Sequence, residues 1–113
     1  TASNNTAFGY AVLNENSTGS NNTGVGYAAG QKITTGIRHV AMGSQALDAC
    51  TTANDNTALG AVALGACTTG GSNVAVGSFS SQSVTTAAEG VILGYNAGGS
   101  VTTGGDNTLI CCG

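Results

Sequence analysis

The stretch Asp55–Gly71 reads DNTALGAVALGACTTGG, and it decides the fold because it is one of a series. Stepping upstream by 17 residues gives RHVAMGSQALDACTTAN from Arg38, NNTGVGYAAGQKITTGI from Asn21 and NNTAFGYAVLNENSTGS from Asn4. Stepping downstream gives SNVAVGSFSSQSVTTAA from Ser72, EGVILGYNAGGSVTTGG from Glu89 and the partial block DNTLICCG from Asp106. Thr1-Ala2-Ser3 fits the last three positions of a preceding block. No gap is needed anywhere, so residues 1–113 read as a single repeat array whose blocks occupy equivalent space. Both ends stop mid-block without a cap, which predicts a segment of a longer fibre or a subunit that stacks end to end.

A 17-residue block is too short for a helical repeat, which needs about 33 residues or more. The prediction is an all-β, parallel β-solenoid (a β-roll or β-helix) with one coil per repeat, six full coils and a partial seventh. Each coil should hold two short strands. One covers the third to seventh residues, as in Thr57–Ala61, and the other lies near the twelfth to fifteenth, as in Ala66–Thr69. The Gly- and Asn-rich stretches between them are turns. Successive coils stacked at about 4.8 Å give a rod of about 30 Å.

The columns of the array assign roles. Position five is always apolar (Phe8, Val25, Met42, Leu59, Val76, Leu93, Ile110) and is expected to be the core. Position six is glycine in every full block: Gly9, Gly26, Gly43, Gly60, Gly77 and Gly94. Together with the mostly Ala residues of position four it should form a flat outer face suited to a chain–chain contact, or permit a sharp bend, or both. Position two carries Asn5, Asn22, Asn56, Asn73 and Asn107, with His39 and Gly90 as substitutes. An amide at a coil corner suits a left-handed turn and a ladder of hydrogen bonds between coils. A sugar-binding Asn row is the functional alternative. At position fifteen stand Thr18, Thr35, Thr52, Thr69, Thr86 and Thr103, each preceded by Thr or Ser. Neighbouring residues point to opposite faces, so one hydroxyl column faces out, and position fifteen is the candidate surface Thr ladder.

Composition excludes several functions. Five acidic and two basic residues give a net charge of −3, and Lys32 and Arg38 alone make no basic footprint for nucleic acid. No run of about 20 apolar residues could span a membrane. His39, the only histidine, has no nucleophile or acid recurring at its corner, so no enzyme activity and no cofactor are expected. Position one (Asn4, Asn21, Arg38, Asp55, Ser72, Glu89, Asp106) could offer oxygen ligands to calcium, but Arg38 and Ser72 separate the acids, and no metal is expected. Cys50 and Cys67 share position thirteen in adjacent coils, in a column with Ile33, Val84 and Val101. Two buried free thiols are expected there, with a disulfide as the alternative; the state of Cys111 and Cys112 is open.

The blocks NNTAFGY from Asn4 and DNTALG from Asp55, with Thr57–Leu64 (TALGAVAL) and the returning Thr-Thr-Gly, resemble two known repeat families. One is the head repeats of trimeric autotransporter adhesins, built on N-(S/T)-x-A-h-G with h apolar. The other, more similar, is the NNTAVGY-type shaft repeats of bacteriophage tail fibres. The resemblance covers the whole chain, although the coil is longer than the adhesin repeat and Cys111 replaces the position-six glycine. It implies a left-handed β-roll, association of three chains and a binding tip elsewhere on the fibre.

These readings converge on a structural fibre or adhesin shaft, extracellular, on a virion tail or cell surface. The expected partners are further copies of the chain, as a homotrimer or end to end, and a host-surface receptor reached through another part of the fibre. Tyr10, Tyr27 and Tyr95 at position seven are candidates for packing between chains. One alternative is an ice-binding β-solenoid using the outward Thr row, and another is a self-stacking extracellular filament.

Overall fold

The computed structural model describes residues 1–110. Seven three-residue strands run in chain order: β1 (Thr6–Phe8), β2 (Thr23–Val25), β3 (Val40–Met42), β4 (Thr57–Leu59), β5 (Val74–Val76), β6 (Val91–Leu93) and β7 (Thr108–Ile110). They form one parallel sheet in sequential order, and every pairing joins residues 17 apart, such as Ala41 with Ala58 and Ala58 with Ala75. The array is a β-solenoid, one coil per sequence block, drawn out to 37 × 22 × 16 Å.

Each coil has one strand rather than the expected two, and the strand is shorter, covering positions three to five. Backbone conformation explains both differences. Position six is glycine at φ between 127° and 132°, which ends the strand abruptly. Positions eight and ten then take left-handed conformations, as at Val62 (φ 60°) and Leu64 (φ 51°), so the chain curls instead of extending. Near position fourteen the amides of three successive residues converge on one carbonyl. Thr34, Thr35 and Gly36 all donate to the Thr51 oxygen, at 3.0–3.3 Å. Such convergence is incompatible with the evenly spaced ladder of a parallel strand. A final left-handed residue at position one, such as Asp55 (φ 64°), turns the chain into the next strand.

The core sits on the other face of the strand from the one expected. Position four points inward: Ala41, Ala58 and Ala75 are fully buried, and Ile92 nearly so. Position five points outward. Phe8 is 76% exposed and Ile110 68%, Met42 is exposed, and Val25, Leu59, Val76 and Leu93 are half-buried. The reason is room. So short a coil encloses a thin interior, which the strand Ala residues and the Leu residues of the facing wall already occupy. Leu47, Leu64, Ile33 and Val84 come from that wall, positions ten and thirteen, and are completely or almost completely buried. A second layer of large side chains from position five would not fit.

The interior is filled by exchange between the two walls. In coils three and four a small strand residue and a leucine of the facing wall are buried in the same cluster: Ala41 and Leu47, and Ala58 and Leu64. In coil six Ile92 replaces the alanine and Gly98 the leucine, and a Cβ on Gly98 would lie 3.0 Å from Ile92 Cδ1. Coil two has glycine at both places, Gly24 and Gly30. Leu13 from coil one and Ile33 fill the gap, reaching 3.0 Å and 2.8 Å from a Cβ built on Gly30.

Candidate functional site

With position four inside, positions three, five and seven face outward together. In strand order the position-five column runs Phe8, Val25, Met42, Leu59, Val76, Leu93 and Ile110. Position three adds four Thr and three Val residues, of which Thr6, Val91 and Thr108 are exposed. Position seven adds Tyr10, Tyr27 and Tyr95, all more than half exposed. Tyr10 and Tyr27 stack at 5.6 Å between ring centroids and 7° between planes, and Phe79 meets Tyr95 edge-on at 6.0 Å. The result is a strip along the rod whose central position-five column is apolar in every coil, with Thr6, Thr23, Thr57, Thr108, Ser44 and Ser78 among its flanks. At strand spacings of about 4.8 Å across and 3.3 Å along, it measures roughly 30 × 13 Å. An apolar patch of a few hundred Å² matches the largest one on a typical monomer, and such a patch is often functional.

The glycine column does not form that face. In coil three a Cβ on Gly43 would lie 2.6 Å from the Gly60 carbonyl group, and one on Gly60 would lie 2.6 Å from that of Gly77. The close approach that requires glycine is therefore between coils of one chain, at a bend. The flat Ala/Gly outer face expected from positions four and six is absent, because position four is core.

The position-two column is a buried ladder. Asn22 donates from Nδ2 to the Gly36 carbonyl (2.9 Å), and its Oδ1 accepts from the His39 amide (3.0 Å). Asn56 donates to the Gly70 carbonyl and accepts from the Asn73 amide, and Asn73 repeats the pattern with Ala87 and Gly90. Asn5 does the same in coil one with Gly19 and Asn22. Asn107 donates to the Gly104 carbonyl. With Asn22, Asn56 and Asn73 buried, the amides of the middle coils present no row to a sugar.

His39 substitutes for an amide atom by atom. Its Nε2 lies 2.7 Å from the Ala53 carbonyl and its Nδ1 3.2 Å from the Asn56 amide. The carbonyl needs a donor and the amide an acceptor, which fixes the neutral Nε2–H tautomer. Burial holds the ring below the ordinary histidine range, and a proton on Nδ1 would also face the Asn56 N–H.

The position-fifteen threonines, Thr18 through Thr103, are all exposed, as expected for the outward row. Position fourteen is the bonded hydroxyl column: Ser17, Thr34, Thr51, Thr68 and Thr85 each donate to the position-fourteen carbonyl of the next coil. Alternation alone gave no signal for that ladder. On position one, Arg38 and Asp55 form an exposed two-toothed ion pair at 2.6 and 2.8 Å, which raises the arginine pKa and lowers that of the carboxylate. Cys50 and Cys67 are free and buried. Cys111 and Cys112 lie outside the described residues. Among the described residues no three His, Cys, Asp or Glu side chains gather as metal ligands, and no helix is long and apolar enough to cross a membrane.

No protein family, curated protein or solved structure matches the chain.

Proposed function

We propose that this chain is a shaft segment of an extracellular fibre, a phage tail fibre or surface adhesin, in which three copies associate side by side through the strip of positions three, five and seven. The observation that supports it is the outward column from Phe8 to Ile110, flanked by tyrosines, on an otherwise small and weakly charged rod. Single apolar residues on a surface need no partner, but a strip running the length of the rod does. The role is mechanical and binding: the rod spaces and supports a receptor-binding element elsewhere on the fibre, and no catalysis is involved.

Sedimentation of the purified chain tests this reading. The expected result is a discrete species of three chain masses. Leu59→Glu combined with Val76→Glu places charges mid-strip, outside the core, and should give a folded monomer. A parent chain that sediments as a monomer sinks the proposal. An open-ended mass distribution would favour end-to-end stacking instead. Ice binding is a second reading, favoured by the exposed position-fifteen Thr row, and thermal hysteresis in a monomeric sample would be its sign.

A further inference from the structure

Position thirteen carries an unused pair of nucleophiles. Ile33, Val84 and Val101 show that the column accepts aliphatic side chains, yet coils three and four place Cys50 and Cys67 there, one directly above the other. Both are completely buried in the hydrophobic core. Stacked coils hold equivalent Cα atoms about 4.8 Å apart, inside the range of roughly 4.4–6.8 Å that a disulfide bridges. Each thiol has a polar neighbour. Cys50 Sγ lies 3.8 Å from His39 Nε2, and Cys67 Sγ lies 3.1 Å from the Gly70 carbonyl oxygen.

We propose that Cys50 and Cys67 are a disulfide site that clips coil three to coil four without dismantling either. The oxidant is a low-molecular-weight disulfide. One cysteine, as its thiolate, attacks a sulfur of the reagent, breaks its S–S bond and expels one thiolate, leaving a mixed disulfide. The second cysteine then attacks the chain's sulfur in that mixed disulfide, forms the Cys50–Cys67 bond and expels the other thiolate. The two protons lost by the chain end on the two expelled thiols. The chain is oxidised by two electrons and the reagent reduced by two. Because both sulfurs are buried, the reagent enters during local opening of the coils, and closure is slow. The neighbouring Cys67, and then burial, raise the pKa of the Cys50 thiol, while Cys50 lowers that of Cys67, so Cys67 is the more readily ionised of the two. The bond would tie residues 17 apart and constrain the unfolded chain.

The test uses the full chain carrying Cys111→Ser and Cys112→Ser, so that only this pair can react. The folded protein is incubated with oxidised glutathione in native buffer. The expected result is a non-reduced intact mass lower by about 2 Da, no glutathione adduct, and a rise in Tm of roughly 10 °C that reductant reverses. Cys67→Val in the same background, isosteric with its column neighbours, should lose no mass. Peptide mapping of the parent chain, oxidised in the same way, should recover a peptide joining positions 50 and 67. Retention of two free thiols, adducts alone, covalent dimers alone, or a linked chain with a lowered Tm would each overturn the proposal.

Discussion

Coil four, Asp55–Gly71, and coil six, Glu89–Gly105, follow the same backbone path with opposite interiors. Coil four sets Ala58 against Leu64, and coil six sets Ile92 against Gly98, whose φ of 64° matches the 51° of Leu64. Position two differs as well: Asn56 fills the corner in one, and Gly90 leaves it without a side chain in the other. The path is therefore held by features the two coils share, the position-six glycine and the left-handed corners. The interior is held by a summed volume that either wall can supply. A backbone rule and a volume rule can be broken separately.

Breaking the backbone rule should have the largest effect. Gly60→Ala puts a Cβ 2.6 Å from the Gly77 carbonyl group, at a φ of 131° that side chains rarely adopt. Backbone cannot move aside as a side chain can. The expected loss is roughly 3–5 kcal/mol in a urea titration. A loss under about 1 kcal/mol would mean that the coils shift freely past one another. Breaking the volume rule comes next. Ile92→Ala leaves coil six with neither filler and should cost about 3 kcal/mol. Adding Gly98→Leu recreates the interior of coil four, where leucine already tolerates a left-handed backbone, and should recover at least half of the loss. A double variant no more stable than the single one would show that the two walls do not exchange volume.

The corner tests the polar side of the same comparison. Asn56→Ala strands the Asn73 amide inside the rod and leaves the Gly70 carbonyl only the weak Cys67 thiol as donor, at an expected cost of about 2 kcal/mol. Gly90→Asn should do the reverse on a smaller scale. A Cβ there stands 3.2 Å from Asn73 Oδ1, tight but not overlapping, and the new amide can extend the ladder toward Asn107. A gain of about 0.5 kcal/mol is expected, since each new hydrogen bond is partly offset by that crowding. Equal and opposite effects of the two changes would make the ladder additive along the rod.

Much of this was legible in the repeat. The register, the parallel stacking and the corner amides follow from a gap-free period and from what Asn does at a turn. The strand face was not, because in so thin a coil side-chain size is a poor sign of burial. Position five varies from Val25 to Phe8 with no balancing change elsewhere in the block, which a thin core could not absorb. Between coils four and six, position four varies against position ten, Ala58 with Leu64 and Ile92 with Gly98, whereas coil two has glycine at both and draws its filling from Leu13 and Ile33. That one exchange, from coil four to coil six, was present in the letters and points to position four as the interior side of the strand. The missing second strand had no comparable signal, since left-handed residues such as Val62 and Leu64 are among the least expected at positive φ.

The smallest effect at neutral pH, and the most selective, belongs to His39. Asn in its place would make the same two hydrogen bonds, to the Ala53 carbonyl and from the Asn56 amide, so His39→Asn should be nearly silent at pH 7.5. The difference appears in acid. The folded chain holds the imidazole below its ordinary pKa, so the unfolded chain binds the proton first. Stability is then complete above about pH 6.5 and falls as the pH drops below it toward the folded value. Of the groups near the ring, Arg38 opposes the proton and Asp55 favours it, and the carboxylate stays ionised across this window because its own pKa is lowered. His39 is the only histidine, and ordinary carboxylates titrate near pH 4, so the decline between about pH 6.5 and 5 is chiefly its own. Urea midpoints across that interval should fall in the parent chain and stay level in His39→Asn. Parallel curves for the two would mean that the ring accepts its proton without breaking the ladder, and that the corner is not as closed as its two bonds imply.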